Sequence, residues 1–384
     1  MGVEGKIRID LQPGRAEPNR VTLASSRPVH ASRVLEGKSV DESLHLLSLL
    51  FSVCTMAQSC AGVRACEQAL DLIESPTVAA RRNLLVKLET LREHLWRMFL
   101  DWPELLGEDP EQNAMQQVLR LQAALSGMLD PQQDLFHVSG SLAHVSDPDW
   151  QQLTGQLLVL VEERVFGQPP ERWLALANAD ALQAWSVSTD TLAARLLCLV
   201  REKGWAAAGG CSVEALPDLD GCELARYFEY QTFVETPLWR GQPRETTVLS
   251  RIDSSLIKAL QADFGNGLLT RLVARLFEVA QLCQDLRAFR VQEEHMPACL
   301  VHAGMGFGQV EAARGRLIHQ VVLEDERITR YRILAPTEWN FHPRGVVARG
   351  LESLRGREAE IREQARLLIG AIDPCVGYEL NLQE

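Results

Sequence analysis

The chain has 384 residues, 46% of them hydrophobic and 23% charged, so it can bury a large core and has the composition of an ordinary globular protein. A formal net charge of −12 argues against a nucleic-acid or anionic-membrane partner, since both reward clustered Lys and Arg, and leaves a protein partner open. No apolar run is long enough for a bilayer, Met1–Lys6 lacks a signal-peptide core, and nine cysteines without a CxxC pair point to reduced thiols in the cytoplasm.

Lys6–Leu11 alternates charged and apolar residues, Pro13-Gly14 opens a turn, and Val21–Ala24 resumes the extended pattern, which reads as a hairpin. Ser39 with Glu42 three residues later forms a capping box, followed by apolar positions 44, 46, 47, 49, 50 and 51. A second helical run begins near Thr55 and carries through Ala69, Leu70 and Ile73. Ser75-Pro76-Thr77 stops it and starts a third, with Leu84, Leu85, Leu88, Leu91, Leu95 and Met98 at helical spacing.

Further helices are predicted over 112–129, 150–165, 190–203, 254–287 and 350–370, with loops at 168–170, 208–221 and 236–243. Arg316–Leu323 and Arg327–Ala335 alternate about Asp325-Glu326, a second hairpin. With no internal repeat and no linker, the pattern predicts one domain over residues 1–384, mainly α with small peripheral β (α+β).

Two cysteines stand in notable surroundings. Cys54 lies in Leu49-Leu50-Phe51-Ser52-Val53-Cys54-Thr55-Met56-Ala57-Gln58. Cys375 lies in Asp373-Pro374-Cys375-Val376-Gly377-Tyr378-Glu379-Leu380-Asn381. The first is similar to the RICGVCTGVH motif, and the second closes as DPC. Between and around them, Gly2–Asp10 resembles RIEGHLRIE, Leu35-Glu36-Gly37-Lys38 resembles LKGR, and Val63–Glu67 resembles VRAVE. Glu245–Arg251 resembles ETGALAR, Glu311–Gly315 resembles EAPRG, and Pro336-Thr337-Glu338-Trp339-Asn340 resembles PTTWN. In this order they resemble the large subunit of nickel–iron hydrogenases, although residues 100–230 contribute little. The resemblance implies that family's fold, built on a central helical bundle.

The departures from that family are specific. Its members hold nickel with four cysteines, two of which bridge to an iron carrying cyanide and carbon monoxide. Here Cys54 falls on a bridging position and Cys375 on a nickel-terminal one, while Phe51 and Tyr378 replace the other two and put aromatic rings where metal would sit. The histidines of the first and last motifs are Gln58 and Asn381, and the outer-metal glutamate falls on Ser32, so a peripheral magnesium-type site is not expected. Only Leu382, Gln383 and Glu384 follow Asn381, where family members carry a removable precursor tail.

Nickel depends on a soft, four-thiolate environment, and two thiolates are too few. No nickel and no hydrogen activation are therefore expected. An iron already saturated with cyanide and carbonyl needs fewer protein ligands, and Cys54 with Cys375 would clamp an Fe(CN)2(CO) fragment transiently. By resemblance, Arg314 supplies a guanidinium beside the site, suited to cyanide nitrogen or a carboxylate, and Glu4 takes a proton-passing position near Cys375. Such a chain is similar to the HupK/HoxV-type hydrogenase formation proteins, whose role would be a scaffold for delivery to the hydrogenase large subunit. That resemblance implies the iron-loading maturation complex and the large subunit as partners. The alternative is a docking factor that binds no metal.

The remaining candidates read as structural. Cys60 and Cys66 are packing residues, and Cys198, Cys211, Cys222, Cys283 and Cys299 have no motif context. His319 falls in a strand pattern. Gly304-Met305-Gly306-Phe307-Gly308 resembles a phosphate loop but leads into a strand instead of a helix. Arg271, Arg275 and Glu278 read as a solvated or ion-paired helix face.

Overall fold

A computed structural model describes residues 5–14, 18–51, 53–140, 145–289 and 304–383. The N-terminal hairpin forms as predicted, with β1 (Ile7–Gln12) antiparallel to β2 (Arg20–Ser25). Its open side takes a strand that the sequence reading missed, β6 (Tyr378–Leu382), which pairs parallel to β1. The two ends of the described chain therefore meet in one sheet.

Ser39 caps α1 (Val40–Leu50) with the expected box, its hydroxyl accepting from the Glu42 N–H. α2 (Thr55–Ala69) stops before Ile73, which is exposed. α3 (Pro76–Trp96) starts at the Ser75 cap and runs into a π-helical turn, Arg97–Asp101. Then follow α4 (Trp102–Leu106), α5 (Gln112–Leu129), α6 (Asp147–Val161), α7 (Pro170–Leu174), α8 (Ala179–Ser188), α9 (Leu192–Glu202) and α10 (Gly221–Phe228).

The helix predicted over 254–287 is two, α11 (Ser255–Phe264) and α12 (Leu268–Ala288). Gly265 breaks it with φ +60, a left-handed value that glycine adopts without steric cost. Three antiparallel strands follow: β3 (Met305–Ala312), β4 (Gly315–Glu324) and β5 (Arg327–Leu334). The β4–β5 turn holds Asp325 and Glu326 at positive φ, as a tight hairpin with right-handed strand twist requires. α13 (Pro336–Asn340), α14 (Val346–Glu352) and α15 (Glu358–Ile372) complete the chain, so the helix predicted over 350–370 is also divided.

The Gly304–Gly308 segment becomes the start of β3, and its glycines serve packing. A Cβ on Gly308 would lie 1.8 Å from the Ala61 carbonyl oxygen, and one on Gly306 2.0 Å from that of Ala65. The glycines let α2 lie directly on the sheet, enclosing one apolar core that contains Cys60, Cys66, Val310 and Val321. The main core gathers around α3, α5, α6, α9, α12 and α15.

α12 is enclosed, which overturns the solvated alternative for its charges and bears out the ion-paired one. Arg271 and Arg275 are fully buried and Glu278 nearly so. Arg271 pairs with Glu245 at 2.7 Å, Glu278 pairs with Arg251 at 2.6 Å and with His94, and Arg275 donates to the Gly370 and Ala371 carbonyls. Buried charge survives only with such partners. Among the described residues no helix is long and apolar enough to cross a membrane.

Candidate functional site

Cys54 is the N-cap of α2, and the Gln58 N–H donates to its carbonyl at 3.0 Å. Its side chain does not cap the helix. Glu89 of α3 does so, accepting from the Met56 and Ala57 N–H groups at 2.9 and 3.0 Å. The first-turn donors are thereby satisfied from outside, and the sulfur is left to face elsewhere. Arg92 fixes the approach by donating to the Val53 carbonyl at 2.9 Å.

Cys375 arrives from the other end. Asp373 terminates α15 in the left-handed region, φ +67, and Pro374 prevents the helix from continuing. Two residues later the Ile7 N–H donates to the Gly377 carbonyl at 3.1 Å and β6 begins. The cysteine is thus pinned between a helix end and a strand start. Thr337, in the first turn of α13, donates its hydroxyl to Cys375 Sγ at 3.1 Å.

Both half-buried thiols line one cavity of about 130 Å³, together with Phe51, Arg27, Glu338, Glu89, Glu93 and Arg314. That volume is well above the roughly 10–15 Å³ one water needs, so a small inorganic group has room. A larger groove of about 890 Å³, walled by Trp96, Arg97 and Tyr378, shares Cys375, Val53, Val376, Glu93 and Arg314 with it. Among the described residues no set of three or more His, Cys, Asp or Glu side chains could hold a metal ion.

Burial, reinforced by Glu89 and Cys375, pushes the Cys54 thiol up to about 12, against the downward pull of Arg314 and the Gln58 amide. The pull of the Arg314 guanidinium is therefore outweighed, and burial favours the neutral thiol at Cys54. Burial also raises Glu89, to about 7. Arg314 holds Glu93 at 2.8 Å and Asp373 at 3.4 Å, and Arg97 reaches Asp373 at 2.8 Å. Burial opposes the Asp373 charge, but Arg314, Arg97 and Arg275 outweigh it and hold the carboxyl at about 2.

Gln58, standing where the resembling motif has histidine, donates its amide to Cys54 Sγ at 3.6 Å. Its carbonyl oxygen accepts from His319 Nε2 at 2.8 Å, and the Tyr331 hydroxyl donates to Nδ1 at 2.9 Å. Burial pushes His319 down to about 3, so it stays neutral in this chain of hydrogen bonds. The structural reading of His319 stands, with an orienting role added.

The structure brings Cys54, Cys375 and Arg314 together, with Phe51 on the cavity wall. It does not place Tyr378 there. That ring lies in β6, partly exposed, on the outer groove, because strand pairing turns it off the cavity. Ser32 lines the cavity but spends its hydroxyl on the Tyr331 carbonyl at 2.8 Å, and Asn381 donates to Asp10 at 2.9 Å in the edge sheet. Glu4 and Cys299 lie outside the described residues.

Arg27, Glu338 and Glu89 were missed from the sequence. Glu338 left a signal, a carboxylate in the middle of the otherwise neutral PTTWN-like motif. Arg27 and Glu338 form a buried ion pair on the cavity wall. Burial works against the Arg27 charge, yet Glu338, Cys375 and Cys54 hold its pKa above the usual arginine value.

Comparison with known proteins agrees with this architecture. Residues 229–375 match the nickel-dependent hydrogenase family. The chain is 30% identical to the hydrogenase expression/formation protein HoxV of Cupriavidus necator, over 98% of this chain and 96% of that one. It is 31% identical to the hydrogenase expression/formation protein HupK of Bradyrhizobium diazoefficiens, over 94% and 91%. The oxidised Ni-Fe-Se hydrogenase of D. vulgaris Hildenborough superposes with a TM-score of 0.65 at 17% identity, over 94% of each chain. The mainly helical fold with small sheets is thus that of a hydrogenase large subunit.

Proposed function

The chain belongs to the HoxV/HupK family of hydrogenase expression/formation proteins, and from that premise we propose that it serves hydrogenase maturation as a non-catalytic scaffold. Its cargo is an iron fragment bearing cyanide and carbonyl, held transiently by Cys54 and Cys375 and passed on to a hydrogenase large subunit. The supporting observation is the convergence of two thiols, from opposite ends of the chain, on one small cavity with two arginines in its wall.

Iron(II) with three diatomic ligands lacks few donors, and two soft sulfurs suit it better than a full protein cage. The Thr337 hydroxyl and the Gln58 amide offer one hydrogen bond to each sulfur, which stabilises thiolate once metal has displaced the protons. Glu89 beside Cys54 has a pKa near neutrality, suited to receiving such a proton. No step here activates hydrogen, and hydrogen uptake by the purified protein is expected to be absent.

Infrared spectroscopy of protein purified anaerobically from cells with active maturation machinery tests this. Cyanide and carbonyl bands are expected in the wild type and lost in Cys54→Ala and in Cys375→Ala. If the double variant still restored hydrogenase activity in a deletion strain, the protein would be a docking factor that carries no metal.

A further inference from the structure

The cavity has two arginines, and they are not equivalent. Arg314 already faces two carboxylates, Glu93 and Asp373. Arg27 faces one, and among the described residues its guanidinium makes one hydrogen bond, to Glu338. A guanidinium has five N–H donors. None of the Arg27 nitrogens is among the buried polar atoms left without a partner, so the remaining donors keep access to open space. Arg27 lines the cavity that both thiols line, and its side chain is only 14% exposed.

A pair placed there for stability alone would be a poor choice. Burying two charges gains little over apolar side chains of similar size. A buried, partly unbonded guanidinium beside two sulfurs gains most when an anion arrives.

We propose that Arg27 makes this cavity selective for anions: its free N–H groups take the acceptor end of a small anionic ligand next to Cys54 and Cys375, and Glu338 keeps the guanidinium at the wall. This rests on the carrier reading for the identity of the anion. The fragment of iron(II), two cyanides and a carbonyl is itself neutral and becomes an anion, with two more negative than positive charges, only when both thiolates bind it; an arginine fork then matches a cyanide nitrogen. Apart from that reading, the ligand class is a small anion of any origin.

The test compares alkylation of Cys375 by iodoacetate and by iodoacetamide, in the full-length protein, by mass spectrometry of the Cys375 peptide. The ratio of the two rates cancels the thiolate fraction and reports the local field. Arg27→Met is expected to lower the ratio about fivefold, the effect of removing one charge about 4 Å away in water. Arg27→Lys, which keeps charge and bulk, stays within about twofold of wild type by the same measure. Glu338→Gln raises the ratio.

A pair that does not set the field at the sulfur would leave the ratio unchanged in both variants. An unchanged ratio in Arg27→Met, or a fall in both Arg27→Met and Glu338→Gln, overturns the proposal. If the ratios shift as expected but the wild type carries no cyanide or carbonyl bands, the anion site stands and the carrier reading fails.

Discussion

Cys54 and Cys66 sit on one helix about three turns apart, and burial pushes both thiols up to about 12. Acidity does not separate them; surroundings do. Cys66, like Cys60, is sealed in the core where α2 lies on β3, with no accessible surface. Cys54 sits at the helix mouth, relieved of capping by Glu89, beside a cavity with an amide donor and two arginines. A cysteine becomes available for metal through access and neighbours, and a helix supplies both kinds of site along its length.

The body of α2 is the rigid half of this comparison, and the largest effect should come from breaking its anchor. Arg82 is fully buried and grips Glu67 of α2 with bonds of 2.7 and 2.9 Å. Glu67→Gln leaves that guanidinium with Glu74 as its one carboxylate partner, beside the Leu135 and His137 carbonyls, and should cost about 3–5 kcal/mol in denaturant unfolding. Gly308→Ala follows at about 3 kcal/mol, because its Cβ would meet the Ala61 carbonyl oxygen and lift α2 from the sheet. A loss under about 1 kcal/mol would mean that the glycines do not set the helix–sheet distance.

The cavity half responds to pH. Asp373 lies at about 2 in the folded protein against 3.8 for an ordinary aspartate. Its contribution is fully present above about pH 4 and is lost as pH falls through 2, because the unfolded chain takes up the proton first. About 2 kcal/mol should disappear over that window. Asp373→Asn should remove this slope from the stability–pH curve; an unchanged slope would assign it to other carboxylates.

The smallest difference tests the comparison most finely. Cys66→Ser places a hydroxyl in an apolar core and should cost about 1–2 kcal/mol. Cys54→Ser leaves its hydroxyl within reach of Gln58 and open space, and should fall within about 0.5 kcal/mol of wild type. Equal costs for the two would erase the distinction between the ends of the helix.

What the sequence disclosed follows the range of the forces involved. The capping box at Ser39, the Ser75 cap and the β4–β5 turn are local chemistry, and each formed as read. The two cysteines were legible because each sits in a motif. β6 was not, since a five-residue strand exposed along most of its length acquires its meaning only from β1, more than 360 positions away. Arg271, Arg275 and Glu278 have the spacing of a solvated or an ion-paired helix face, and only the elements packed around them show that it is the second. Arg27 depends on Glu338 in the same way, an ion pair that no local pattern announces.

The central claim is that sulfur from both ends of the chain holds one iron. X-ray absorption at the iron edge, on protein purified anaerobically from maturation-active cells, tests it most directly. Two sulfur neighbours at about 2.3 Å, by analogy with other metal–thiolate bonds, are expected in the wild type, and Cys54→Ala and Cys375→Ala should each remove one. Iron without sulfur neighbours, or a sulfur shell untouched by both substitutions, would contradict the account.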